Sequence, residues 1–404
     1  MLQPSDLQLA FPPSGPAGVT SCADPLAFAA LRPEWFALLE RSDAAVFVSW
    51  EWLYPWYRRI APDRSPRLLL ARDPDGRLAG LLPLGVERLW SVGAEVRRWA
   101  FLGETHVGSD GLDALAGRGR EEEMCRLFAA WLREHEAEWD VLDLVDLEAG
   151  SPMVQALRAV FGRSHAVEQW DRHLCPFEVF RPGETFDAFL RRCGRRDNFL
   201  RRRKWLAAQP GFRVERSERP DELAVPMTEL LRLHAARWAA DGGSQGIRGP
   251  RTEAFHRDAT EWLAERGKVR LYTMWVGGEA VASVYALLHR EELIYFQSGY
   301  APGWRNRSVG LVLVGETFRD AIEGGLRGYD FLRGTEPYKA EWTSRVRRTV
   351  AVRVHRLRGA GARWCLQQQG GRAARTAVKR ALPERWVEQI RRWRRAYSGG
   401  NRGS

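Results

Sequence analysis

One pattern occurs twice in this chain and limits what it can fold into: an apolar strand, a tight turn and a second apolar strand. Residues 67–88 read RLLLARDPDGRLAGLLPLGVER, and residues 269–290 read VRLYTMWVGGEAVASVYALLHR. Turns that contain Asp-Gly or Gly-Gly favour β-hairpins because their central residues take positive φ. A strand, a helix and another strand are predicted after each hairpin. Either the chain contains two copies of one α/β unit, or a common motif recurs by chance.

The length of 404 residues suits two domains and a tail, because single cores rarely grow beyond about 250–300 residues. We expect a loose leader over 1–30, one α/β unit over 31–180, a second over 181–357, and a basic helical tail over 358–404. The chain is 45% hydrophobic and 28% charged. This balance excludes disordered, collagen-like and multi-span membrane proteins.

Cysteine usage and the N-terminal composition predict a cytoplasmic location. The first residues have neither the basic segment nor the apolar segment of a secretory signal. The five cysteines form no CxxC pair, which fits a reducing compartment. The eight histidines show no metal-ligand spacing such as HExxH, so we expect no metal.

Positive charge is concentrated in two segments. The net charge is +11 for the whole chain, +7 for residues 191–204 and +10 for residues 358–404. Such segments indicate anionic partners: membrane lipid, nucleic acid or a polyphosphate ligand. For residues 191–204 the alternatives are a solvated helix, an anionic acceptor site and a tRNA site.

The tail is predicted to form helices over 372–381 and 384–397. In the second, Trp386, Ile390, Trp393 and Tyr397 fall on one face, opposite most of the arginines. This face would either dock on the inner surface of an anionic membrane or pack on the body of the protein.

The segment from residue 293 to residue 323 holds the groups best suited to binding a ligand. It is predicted to form a strand at 293–299, a loop, and a helix at 308–323. The loop contains Arg305 and Arg307, and Gly310 lies in the first turn of the helix. Free amides and the positive end of a helix dipole bind phosphate, and the arginines add charge. A plain strand–helix junction is the alternative.

Residues 307–312, RSVGLV, resemble the pyrophosphate loop of GNAT acetyltransferases, although Val312 replaces a small residue. Together with YDFLRGTEPYKAEWT at 329–343, this segment resembles the BioF2-like acetyltransferase family, which includes proteins associated with cellulose and exopolysaccharide synthesis. Residues 47–59, 80–84 and 233–243 also look similar to it. The layout is similar to that of FemAB-type aminoacyltransferases.

The resemblance implies an α/β (α+β) fold of two tandem GNAT-like domains, each a mixed central sheet flanked by helices. It implies acetyl-CoA or another acyl-CoA as co-substrate, held in a gap between two splayed parallel strands. The residues implied for binding it are Arg305, Arg307, Ser308, Val309, Gly310 and Leu311.

Residues 333–342 follow the last strand of the second unit and hold the predicted catalytic groups. Glu336 would act as base, Tyr338 as the acid that protonates a thiolate, and Lys339 as an anion anchor. Local pairing of Glu336 with Lys339, and packing of Tyr338 on Trp342, is the alternative.

Further candidates lie outside this segment. His234, Arg237 and Trp238 share one helix face and could line the acceptor site, with His234 as an alternative base; a structural histidine is the other interpretation. Asp110 resembles a family position and would face the acceptor or cap a turn. Trp342 completes the predicted acceptor site.

The function predicted from these observations is acyl-CoA-dependent N- or O-acyl transfer to a cell-envelope or exopolysaccharide-related acceptor. The runner-up is a FemAB-like aminoacyltransferase that uses charged tRNA. A third possibility is a non-catalytic scaffold that binds a polysaccharide synthase or membrane through the tail.

Overall fold

The computed structural model describes residues 18–91, 93–241, 247 and 249–381. Its helices alternate with strands along the chain. They are α1 (Pro25–Ala30), α2 (Arg32–Glu40), α3 (Trp50–Arg59), α4 (Glu121–Glu134), α5 (Pro152–Phe161), α6 (Phe186–Arg192), α7 (Arg196–Ala207), α8 (Ala224–Asp241), α9 (Pro250–Ala264), α10 (Val309–Glu323), α11 (Pro337–Ala340) and α12 (Ala360–Ala381).

Within the described residues, thirteen strands form one mixed sheet. They are β1 (Val19–Cys22), β2 (Ser65–Arg72), β3 (Leu78–Ser91), β4 (Ala94–Phe101), β5 (Leu115–Ala116), β6 (Val141–Glu148), β7 (His165–Val179), β8 (Arg213–Ser217), β9 (Val269–Val276), β10 (Glu279–His289), β11 (Glu292–Tyr300), β12 (Gly328–Asp330) and β13 (Val346–Arg356). Their order is β1-β2-β3-β4-β6-β13-β7-β12-β11-β10-β9-β8, and β5 pairs with β3.

The repeated hairpins are present, and the connections around them repeat as well. β2 and β3 form the first hairpin and β9 and β10 the second. In each half, four successive antiparallel strands (β1 to β4, and β8 to β11) are followed by a parallel neighbour, β6 or β12. A helix, α4 or α10, makes each parallel connection, as parallel pairing requires. The predicted α/β class with a mixed central sheet and flanking helices is confirmed.

The two halves are interleaved at the centre of the sheet. β13, from the end of the second half, lies between β6 and β7 of the first. The long strand β7 pairs with β13 along most of its length and with β12 through residues 177–179. One continuous hydrogen-bond ladder therefore joins the halves.

Apolar packing covers the second half of this sheet on both sides. On one side, Phe199 of α7 and Phe318 of α10 belong to a buried cluster with Tyr329. On the other side, Phe296 of β11 contacts Trp52 of α3 at a ring-centroid distance of 5.2 Å. Because α3 belongs to the first half, burial of these rings holds the halves together.

The ends of the chain differ from the sequence prediction. The predicted loose leader contains β1, which pairs with β2, and α1, whose first turn begins with Pro25 and is capped by the Asp24 side chain. Both features favour a helix start. In the tail, α12 begins at Ala360 rather than at residue 372, because Trp364 and Cys365 bury against the sheet. The predicted helix at 384–397 lies outside the described residues.

Candidate active site

A gap opens in the sheet between β11 and β12. These strands pair in parallel only from Glu292–Gly328 to Ile294–Asp330. Beyond this point β11 continues beside β10 to Tyr300, whereas the amide of Phe331 bonds to the carbonyl oxygen of Pro176. The two chains therefore diverge, and the edge of β11 from residue 295 onward faces the gap.

The N-terminus of α10 borders this gap. Ser308 adopts a left-handed conformation (φ 57°), after which the helix begins at Val309. The first amides of an α-helix have no acceptor within the helix and carry partial positive charge. A Cβ atom built on Gly310 would meet no atom within 4 Å, so the space in front of this turn is open. The turn can therefore accept an anionic group such as a diphosphate.

A cavity of about 220 Å³ fills the space between β11, α10 and the chain that follows β12. Its lining is apolar along α10 and polar on β11 and around Tyr338. The lining residues are Arg237, Ala282, Ser283, Val284, Tyr295, Ser298, Gly299, Tyr300, Gly310, Leu311, Leu313, Val314, Tyr338, Glu341 and Trp342. A narrow, largely apolar channel that begins at an anion-binding turn suits an extended ligand with one charged end.

Polar side chains converge at one wall of the cavity. The Tyr295 hydroxyl donates a hydrogen bond to Ser298 Oγ, which also accepts one from Arg237 Nη1 at 3.0 Å. The ring of Tyr338 lies 6.3 Å from that of Tyr295. Burial, and then the neighbouring Tyr295, raises the pKa of Tyr338 well above its usual value. Tyr338 is therefore protonated near neutral pH and can donate a proton inside the cavity.

His234 lies behind this wall, on α8. Its side chain is buried, and Nδ1 is 3.2 Å from the carbonyl oxygen of Ser298. Burial lowers the pKa of His234, so the ring is neutral near pH 7. Arg237 of the same helix reaches the cavity, whereas His234 is not among its lining residues. The side chain of Trp238 lies outside the described part of the chain.

Glu336 and Lys339 form a local pair beside the cavity. Lys339 Nζ lies 3.0 Å from Glu336 Oε2 and donates a hydrogen bond to the carbonyl oxygen of Arg333 at 2.7 Å. Lys339 is buried, while Glu336 is exposed. Neither side chain lines the cavity, but both hold the loop that places Tyr338 there. Trp342 is buried, and it lines the cavity as well as packing on Phe318 at 5.0 Å.

Asp110 reaches the same loop from the first half of the chain. Its carboxylate accepts a hydrogen bond from the Arg333 amide at 2.7 Å and pairs with Arg333 Nη2 at 2.6 Å. Asp146 also pairs with Arg333, at 3.1 Å. Asp110 is buried and lines a smaller cavity of about 70 Å³, which also contains Cys175 and Asp330.

The cavity-lining side chains that sequence reasoning missed include Tyr295, Ser298 and Glu341. Glu341 is anchored by an ion pair with Arg195 at 3.1 Å. Tyr295 lies on a strand already predicted to border the donor. Glu341 follows Tyr338 by three residues, which places both on one side of a helical turn. The strand position of Tyr295 and the spacing between Tyr338 and Glu341 were the signals from which these two residues could have been predicted.

In the first half, α4 and the strands β4 and β6 correspond to α10, β11 and β12 of the second half, but their side chains differ in charge. The first turn of α4 carries Glu121, Glu122 and Glu123, whose charges oppose anion binding at a helix N-terminus. Between β4 and β6, Arg98 forms ion pairs with Asp143 at 2.9 Å and Glu104 at 2.7 Å. Among the described residues of the first half, the first turn of α4 is therefore acidic, whereas that of α10 carries no acidic residue.

Two kinds of feature are absent from the part of the chain that the structure describes. In the described ranges, no group of three or more His, Cys, Asp or Glu side chains could hold a metal ion. Among those same residues, the helices are too short or too polar to span a bilayer.

Comparisons with known proteins agree with this geometry. Residues 194–340 match the family model of the acetyltransferase (GNAT) domain, and this range includes the turn at α10 and every cavity-lining residue except Glu341 and Trp342. No curated protein matches the chain.

Solved structures show the same fold at low sequence identity. The crystal structure of FemX is 12% identical and covers 79% of this chain and 95% of its own, with a TM-score of 0.55. The C-terminal domain of a putative lysylphosphatidylglycerol synthetase from Agrobacterium fabrum is 12% identical, with 84% and 95% covered and a TM-score of 0.50. The family match and the open turn at α10 together lead to one assignment: residues 194–340 form a GNAT acetyltransferase domain, and the protein that carries this domain is an acyltransferase.

Proposed function

We propose that this protein transfers an acyl group from acyl-CoA to an amine or hydroxyl group of a cell-envelope or exopolysaccharide-related acceptor. One observation carries the donor half of the proposal: the cavity of about 220 Å³ between diverging β11 and β12 begins at the open first turn of α10. The acceptor half comes from the resemblance of residues 307–312 and 329–343 to BioF2-like acetyltransferases.

The described residues fit an acyl-CoA donor at three places. The amides of Val309, Gly310 and Leu311 would bind the diphosphate, with Arg305 and Arg307 nearby. The free edge of β11 would bind the amides of the pantetheine arm. The thioester would supply an activated acyl carbon near Tyr338.

Proton transfer follows from the same arrangement. The acceptor N–H or O–H group attacks the acyl carbon, the C–S bond breaks, and the Tyr338 hydroxyl donates its proton to the leaving sulfur. Glu336 and His234 are the proposed bases for the acceptor proton. His234 is neutral near pH 7, as a base must be, and Glu336 is solvent-accessible.

We place the acceptor between the two halves of the chain. Arg237, Trp238 and Trp342 would contact it from the second unit, over 181–357. Asp110 would shape the site from the first unit, over 31–180. Action in the cytoplasm, with contact to the inner membrane face through the tail, belongs to the same proposal.

Calorimetric titration with acetyl-CoA and longer acyl-CoAs tests the donor site. We expect the wild type to bind at least one of them and Gly310→Asp to bind at least 10-fold more weakly, because its carboxylate would repel the diphosphate. Gly310→Asn is the matched control, since it adds the same volume without charge. Absence of binding to every acyl-CoA by the wild type would refute the donor assignment.

A FemAB-like aminoacyltransferase is the second candidate. The shared fold with FemX and the positive charge of α7 favour it. This function requires tRNA binding whose affinity falls steeply with salt concentration. Filter binding with charged tRNA, performed beside the acyl-CoA titration, distinguishes the two candidates.

A further inference from the structure

Most arginines on α6, on α7 and in the turn between them form ion pairs with acidic side chains. The pairs are Arg191–Asp187 (2.6 Å), Arg192–Glu184 (2.8 Å), Arg195–Glu341 (3.1 Å), Arg196–Asp187 (2.5 Å) and Arg203–Glu316 (2.6 Å). Arg201 and Arg202 are different, because neither forms an ion pair with any described residue. Both donate instead to Asn198 Oδ1, at 3.4 and 3.3 Å. Uncompensated positive charge is therefore concentrated on one edge of α7.

This edge forms one wall of a surface groove of about 350 Å³, which we call the basic groove. Arg201, Arg202 and Trp205 of α7 line one side, and Asn306 and Arg307 of the turn before α10 line the other. Trp205 is 40% exposed, and the Arg307 guanidinium carbon lies 4.8 Å from its ring centroid. A basic groove that contains an accessible aromatic ring suits a ligand with both a phosphate group and a planar base.

The basic groove adjoins the proposed diphosphate site. Arg307, which lines the groove, comes directly before Ser308, where the turn into α10 begins. If the diphosphate of a ligand binds at that turn, the two parts of the ligand on either side of the diphosphate would extend in different directions. One end would enter the cavity beside β11, and the other would reach the groove.

We infer that the basic groove binds the 3′-phosphoadenosine end of the acyl donor, with the 3′-phosphate at Arg201 and Arg202 and the adenine at Trp205. This inference rests on the proposed function, and it names an additional element, α7, that does not belong to the diphosphate loop. Guanidinium groups bind phosphate through two N–H donors, and an indole face stacks on a purine. The donor would then be selected as complete coenzyme A rather than as a shorter pantetheine thioester.

Titration of the full-length chain with CoA and with 3′-dephospho-CoA tests this inference. We expect the wild type to bind CoA about 10-fold more tightly than 3′-dephospho-CoA. The double variant Arg201→Gln/Arg202→Gln should bind the two ligands with equal affinity. The wild type and the double variant should bind 3′-dephospho-CoA with the same affinity, because this ligand lacks the 3′-phosphate that the two arginines would contact. Trp205→Leu should lower the affinity for both ligands by a similar factor, since both contain adenine.

Arg196→Gln is the matched control, because this arginine lies on the same helix and is paired with Asp187. It should retain the preference for CoA. Equal affinity of the wild type for the two ligands would overturn the inference while leaving the proposed function intact. Failure of the wild type to bind either ligand would overturn the proposed function itself, and the inference with it.

Discussion

The carboxylate of Asp110 binds Arg333 twice, at the backbone amide (2.7 Å) and at Nη2 of the side chain (2.6 Å). These residues are 223 positions apart in sequence. Arg333 begins the loop that places Tyr338 and Trp342 at the cavity. A buried side chain of the first half therefore holds the loop that carries the proposed chemistry in the second.

Asp110→Asn should lower the rate of acyl transfer more than it lowers acyl-CoA affinity. The variant removes the charge that faces Arg333, while α10 and β11, which would bind the donor, stay in place. We expect kcat to fall by about 10-fold or more, since small displacements of catalytic groups are costly. Steady-state kinetics together with titration separate the two effects. Asp75→Asn, which removes an exposed ion pair with Arg77, should change neither the rate nor the affinity. An equal loss of affinity and rate would argue against a positioning role.

Tyr338→Phe should reduce acyl transfer on the order of 100-fold, because the variant cannot protonate the leaving sulfur. The ring and its packing are retained, so acyl-CoA affinity and thermal stability should be unchanged. Glu336→Gln tests the proposed base in the same assay and should lower the rate of acyl transfer with little loss of acyl-CoA affinity. Full turnover in both variants would exclude these two residues from the chemistry.

Gly299→Ala should destabilise the fold by about 1–3 kcal/mol. A Cβ atom at this position would lie within 3.0 Å of backbone atoms of Leu233 and His234, so α8 would have to move away from β11. Gly303→Ala is a suitable control, because a Cβ atom there meets nothing within 4 Å. Denaturant unfolding measures the difference, and equal stability of the two variants would contradict the close packing of α8.

Stability should fall as the pH drops below about 6.5, partly because of His256. Its ring is fully buried, no described residue bonds to its nitrogens, and burial lowers its pKa to about 3. The unfolded chain binds a proton near pH 6.5 whereas the folded chain does not, so the penalty grows from pH 6.5 down to about 3. At pH 5 it amounts to about 2 kcal/mol.

His256→Phe should therefore flatten the pH dependence of the unfolding free energy between pH 6.5 and 5. Phe255 and Phe296 surround the ring at 4.8 and 5.4 Å, and they offer an apolar site for phenylalanine. His106→Asn is the control, because this ring is exposed. An unchanged slope in His256→Phe would show that other groups cause the acid sensitivity.

The hairpins, β11 and α10 could be predicted from sequence because local rules determine them. Apolar runs bounded by Asp-Gly and Gly-Gly turns identify β2, β3, β9 and β10. The helix predicted over 308–323 is α10, and the strand predicted over 293–299 is β11. In contrast, β7 and β13 were not predicted, because polar residues interrupt their sequences and their partners are remote in the chain.

Some features of the candidate site could likewise be predicted from local sequence, whereas others depend on contacts between distant residues. The positions of Gly310 and Tyr338 follow from motifs, since a turn at a helix N-terminus is a local structure. The pairing of Asp110 with Arg333, the entry of Glu341 into the cavity and the charge left on Arg201 and Arg202 are not local. Each depends on which carboxylates and guanidinium groups meet after the sheet has formed.

The amino-acid sequence by itself determined the duplicated hairpins, the class of the fold and the turn into α10, because each rests on contacts among residues close in the chain. Only the tertiary structure decided that β13 lies between β6 and β7, that the two halves share one sheet and that Asp110 pairs with Arg333. These features arise from strand pairing and ion pairing between distant segments, and no local pattern specifies such partners.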